Sequence, residues 1–144
     1  MRAECEIPGK QNFVQLIDTN QQAITAALEV MEKHISALNE RNILELSATL
    51  HFPHFRLVGT NLKVWETADR YYDEFRARAG ENWAYTKLAS ITTISATSNK
   101  VHLDVQVNRF DAQNHLIADF RSLWVITKIK GVWAAQLRST FAPA

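Results

Sequence analysis

The stretch Lys100-Val101-His102-Leu103-Asp104-Val105-Gln106-Val107-Asn108 alternates apolar and polar side chains without a break. A period of two sets Val101, Leu103, Val105 and Val107 on one face and His102, Asp104, Gln106 and Asn108 on the other. That is the pattern of an antiparallel strand with one face buried. Three neighbouring segments read the same way, at 83–97, 116–129 and 132–141. Turn residues separate them at Ser98-Asn99, Asp111-Ala112-Gln113-Asn114 and Lys130-Gly131.

Ahead of Trp83 the period is helical. Ala23, Ile24, Ala27, Leu28, Met31, Ile35 and Leu38 form one apolar stripe, and Thr19 with Gln22 reads as the capping box that starts it. A short second helix begins at Asn42, with Glu45 completing its box, and is expected to close at Pro53. Phe55-Arg56-Leu57-Val58 and Leu62-Lys63-Val64-Trp65 read as two short strands around the turn Gly59-Thr60-Asn61. A third helix is expected over 67–79, followed by Gly80. The order is therefore α-α-β-β-α-β-β-β-β. It predicts an α+β cone-shaped roll: three helices packed on a strongly curved, mostly antiparallel sheet.

The chain has 144 residues, enough to bury a core without metal or disulfide, and no linker divides it. Residues 1–18 read as an N-terminal arm and residues 19–144 as one domain. A net charge of +1 offers no field for nucleic acid, and no nucleic-acid or membrane partner is expected. The single cysteine, Cys5, fits a reducing compartment, so the expected location is cytoplasmic.

The element order resembles the nuclear transport factor 2-like superfamily, including its SnoaL-like members. Ala37-Leu38-Asn39, Lys130-Gly131-Val132-Trp133 and Leu137-Arg138-Ser139 carry the likeness, and His51-Phe52-Pro53-His54 resembles a stretch of uncharacterised bacterial members. The resemblance implies a pocket inside the cone and a homodimer, with Leu123, Val125, Ile129, Leu137 and Phe141 among the surface to be covered. It names no activity, because the superfamily holds enzymes and non-enzymes alike. Compared with its ketosteroid isomerase members, the helix tyrosine falls on His34, the catalytic carboxylate on Val58, and the second carboxylate near Ser122 or Trp124. Both carboxylates of that chemistry are thus missing.

His54 is the first candidate catalytic group. Strand alternation sets it on one face with Arg56 and Val58, and the comparison turns that face inward, although Phe55 and Leu57 then point outward. His34, on the buried stripe, is expected to face it. Arg109, in phase with Val105 and Val107, is the candidate for binding a carboxylate at the cavity mouth, with Arg56 and Arg138 as weaker candidates. Phe120, Ser122 and Trp124 share one strand face and, with Trp65, Tyr72 and Val58, are expected to line an apolar pocket. His51 and His54 lack a third metal ligand nearby, so no metal and no cofactor is expected. Arg70, Arg76 and Arg78 alternate with acids on the third helix and read as a solvated face. Two functions follow: a histidine acid–base enzyme of isomerase, lyase or cyclase type, or a non-catalytic module for a small apolar or aromatic ligand or for dimeric interaction.

Overall fold

The computed structural model describes residues 9–142. Its order is α1 (Gly9–Glu40), α2 (Ile43–Ser47), β1 (Leu50–Val58), β2 (Asn61–Trp65), α3 (Ala68–Ala79), β3 (Tyr85–Ala96), β4 (Lys100–Phe110), β5 (Leu116–Ile129) and β6 (Val132–Thr140). The predicted order is the observed one. The strands form one sheet in the order β2-β1-β6-β5-β4-β3. Only β1 and β6 pair in parallel. Register shifts at Leu50/Phe55, Leu88/Ser90, Thr93/Ser95, Arg109/Phe110 and Val125/Ile126 bend the long strands. Each such irregularity adds local twist, so the sheet curls around the helices.

Two boundaries differ from the sequence reading. Helix α1 starts at Gly9, so Thr19 and Gln22 lie within it and do not cap it. Cys5 lies outside the described residues. The segment after α2 turns into β1 at Leu50, and Pro53 lies inside that strand. Pairing of β1 with β6 is interrupted between Leu50 and Phe55, and pairing with β2 begins only at His54. Pro53 thus occupies the one stretch of β1 where no ladder requires its missing N–H.

The other ends follow local chemistry. Asn42 caps α2 by accepting from Glu45 N at 3.1 Å, and Thr67 caps α3 by accepting from Arg70 N at 3.3 Å. Asn39 ties the end of α1 to β3. Its side chain accepts from Thr86 N and donates to Thr86 O, both at 2.8 Å. Core side chains come from the α1 stripe (Ala27, Met31, Leu38), from Tyr71 and Phe75 of α3, and from Val101, Leu103, Val105, Trp124 and Ile126 of the sheet. No described helix is long and apolar enough to cross a membrane.

Candidate functional site

The inner face of β1 carries His54, Arg56 and Val58, all buried, while Leu57 is exposed. The strand has the facing expected from the comparison and not the one its apolar residues suggest. A polar interior is the consequence. Two histidines and two arginines, Arg56 and Arg138, are buried within it.

One chain of hydrogen bonds runs through this interior. Thr49 Oγ1 donates to Leu46 O at 2.7 Å and therefore accepts from His34 Nδ1 at 2.9 Å. His34 Nε2 is then the acceptor for Tyr71 Oη at 3.2 Å. Arg138 Nη1 donates to Tyr71 Oη at 2.5 Å. His34 is thus satisfied at both ring nitrogens. Burial lowers its pKa well below the usual histidine value, helped by the charge of Arg138 and by His54.

His54 donates from Nδ1 to Ala135 O at 3.0 Å. Its Nε2 has no partner among the described residues. The ring stacks on Trp65 (centroids 6.2 Å apart) and meets Tyr71 edge-on at 5.3 Å. Burial lowers its pKa to about 3, with Arg138 adding to the shift and the Ala135 carbonyl opposing it. His51 faces elsewhere, bonded to Thr127 O at 3.0 Å. Among the described residues, no three His, Cys, Asp or Glu side chains cluster to hold a metal.

Two cavities open beside this network. The inner one, about 50 Å³, is lined by His34, Tyr71, Ser122, Trp124, Arg138 and Thr140 among others. The outer one, about 370 Å³, is lined by Arg78, Gly80, Glu81, Asn82 and Ile117 among others. Arg56, Arg109, Phe120 and Ala142 line both, so the two cavities adjoin there.

Four guanidinium groups therefore converge. Aromatic faces hold three of them. Arg138 lies over Trp124 at 4.8 Å and Tyr71 at 5.4 Å, Arg109 over Phe120 at 4.5 Å and Phe75 at 5.1 Å, and Arg78 over Trp65 at 5.9 Å. Stacking fixes a guanidinium by its face and leaves its N–H edge for a ligand. Nε of Arg56 and Nε of Arg109 have no hydrogen-bond partner among the described residues. No ion pair among the described residues involves any of the four. Their charges oppose one another. Burial first, then Arg138 and Arg78, lowers Arg56 to about 9. Burial followed by neighbouring arginines lowers Arg78 and Arg109 to about 10 each. All remain charged at neutral pH.

Of the residues singled out in the sequence, Arg109, Phe120, Ser122, Trp124 and His34 meet at the cavities. His54, Trp65, Tyr72 and Val58 line neither. Tyr72 instead lies beside Arg76, which donates to its hydroxyl at 3.4 Å. Arg76 and Arg78 are corrections: they are half-buried over Trp83 and Trp65 and not part of a solvated helix face. Tyr71 and Arg138 carry more of the site than their sequence context suggested. The only signal was phase: Tyr71 lies on the apolar face of α3, and Arg138 shares its strand face with Gln136 and Thr140.

No known protein-family model matches the sequence, and no curated protein matches it. Solved structures do. A protein of unknown function with a cystatin-like fold from Nostoc punctiforme superposes with a TM-score of 0.66 at 10% identity, over 83% of this chain and 90% of that one. An NTF2-like protein from Cytophaga hutchinsonii gives 0.63 at 18% identity, over 86% and 99%. An NTF2-like protein of unknown function from Pseudomonas putida gives 0.66 at 12%, over 85% and 88%. The chain has the nuclear transport factor 2-like, cystatin-like fold, and these identities speak to fold alone.

Proposed function

We propose that this protein binds a small organic anion inside its cone. The observation that carries the reading is the convergence of Arg56, Arg78, Arg109 and Arg138 on adjoining cavities without an ion pair among the described residues. Buried like charges raise the free energy of the empty site, and an anion relieves both the repulsion and the unmade hydrogen bonds. Phe120 and Trp124 add apolar surface for the body of the ligand.

Binding is favoured over histidine acid–base catalysis. A base works best with a pKa near the operating pH. His54 lies far below it and lines neither cavity, and both ring nitrogens of His34 are engaged. The test is a melting-temperature screen at low salt against small carboxylates, sulfonates and phosphates, with neutral amides of the same shape as controls. Anions are expected to raise the melting temperature and amides to leave it unchanged. Equal response to both series, or to neither, sinks the reading.

A second copy of the chain is proposed to cover the outer face of the sheet. Phe55, Leu57, Leu62 and Leu137 line an almost wholly apolar hollow of about 380 Å³ there. Leu62 is 61% exposed, and Val64 beside it 48%. An apolar patch of this kind on a sheet edge suits a self-complementary contact.

A further inference from the structure

The arginine site is divided, and the division specifies the ligand further. Of the two adjoining cavities Arg138 lines the inner alone, Arg78 the outer alone, and Arg56 and Arg109 line both. The inner space, about 50 Å³, is several times smaller than the outer one. It takes the smaller end of a ligand. The outer space of about 370 Å³ holds the remainder of a small molecule.

The inner compartment offers donors to an anion. Ser122 and Thr140 carry two hydroxyl protons between them and use one in their mutual bond of 2.7 Å. Thr140 Oγ1 also accepts from Ala142 N at 3.1 Å, so the pair has a proton to spare. The Tyr71 proton is committed to His34, while the guanidinium edges, this hydroxyl, the Thr86 hydroxyl and the Trp124 indole N–H belong to residues that line the space. At the other end, Glu81 lines the outer cavity and Glu74 acts on Arg78, yet neither forms an ion pair with it. A ligand with one anionic end would neutralise the inner arginines and leave Arg78 bare, or the reverse.

Resting on the anion-binding reading, we infer that the ligand is an organic diacid with a carboxylate at each end. The inner carboxylate is held by Arg138 and the Ser122–Thr140 pair. The outer one is held by Arg78. Arg56 and Arg109 flank the short scaffold where the cavities adjoin and add to both.

Titration calorimetry with succinate, glutarate and adipate, against butyrate and butyl phosphate, tests the inference. At least one diacid should bind about tenfold tighter than butyrate, the contribution of one further charge-assisted contact. Arg78→Gln, at a half-buried position with no hydrogen bond among the described residues, should reduce diacid affinity to near the butyrate level and weaken butyrate much less. Arg138→Met should weaken both acids; should it fail to fold, Thr140→Val probes the same end. Diacids and butyrate binding within about twofold of each other would overturn the diacid while leaving anion binding in place. Butyl phosphate binding tightest, through two charges at one end, would also overturn it. Binding by none of the probes, with no response in the wider anion screen, removes the underlying reading instead.

Discussion

Arg56 combines two demands that oppose each other. It is 3% exposed, its Nε has no partner among the described residues, and Arg138, Arg78 and Arg109 all act against its charge. Replacing an uncompensated buried charge with an apolar side chain of similar length removes a desolvation penalty. Arg56→Met should therefore stabilise the ligand-free protein by about 1–3 kcal/mol in urea denaturation and abolish the anion-induced rise in melting temperature. A destabilised Arg56→Met would mean the fold itself needs that charge. His54 gives a second expectation. Its folded pKa of about 3 lies below the unfolded value of 6.5, so the unfolded chain takes up the proton first as pH falls. Stability is then full above pH 6.5 and declines below it, with about 2 kcal/mol lost to this group by pH 5. His34 is shifted in the same direction. His54→Gln should flatten the slope of urea midpoint against pH between 7 and 5, whatever it does to the midpoint itself. Arg109 was legible because its phase with Val105 and Val107 predicts facing. Arg78 was not, because it stands among Asp73, Glu74 and Arg76 on α3, and the approach of Trp65 from strand β2 helps to cover it.

At the scale of elements, the strand order was plain in the sequence, and what was missed is the first part of β1, from Leu50 to His54. Strand β4 keeps its period of two over many residues, and turn residues bound it and β5. Strand β1 alternates in the opposite sense over 54–57, because its inner face carries His54 and Arg56 where an ordinary core strand has apolar side chains. The functional interior thus obscured the strand that builds it. Pro53 misled for a related reason, since whether a proline breaks a strand depends on which neighbours pair there. Asn39 shows the converse, a sequence echo with a physical cause. Its two bonds to Thr86 satisfy both backbone groups of a residue on edge strand β3 and fix the end of α1 above the inner cavity that Thr86 and Leu38 line. Asn39→Ala leaves those groups without protein partners and should cost about 1–3 kcal/mol. Asn39→Asp, which keeps only the acceptor, should recover part of that loss above the carboxylate pKa. If alanine is neutral, the tie is incidental to the position of α1.

On the scale of the whole molecule, the charge and the apolar surface lie on opposite sides of one sheet. Inside, arginines gather with aromatic support; outside, Phe55, Leu57, Leu62 and Leu137 stand exposed or half-exposed at the β2-β1-β6 end. The two sides share strands, because alternation along β1 puts His54 and Arg56 within and Phe55 and Leu57 without, and along β6 puts Arg138 within and Leu137 without. A partner on the outer face therefore steadies the strands that aim Arg56 and Arg138. Charge on that face should separate the copies without touching the interior. Leu57→Glu combined with Leu137→Glu is expected to convert a dimer into a monomer in sedimentation at micromolar concentration. The same double variant should retain the anion-induced rise in melting temperature, though from a lower starting point, since stability no longer includes the mass-action contribution of association. A wild-type protein that sediments as a monomer across that range would show that the apolar hollow is covered by something other than a second copy. Loss of anion response in a well-folded monomer would instead show that the arginine site needs the dimer to hold its strands in place.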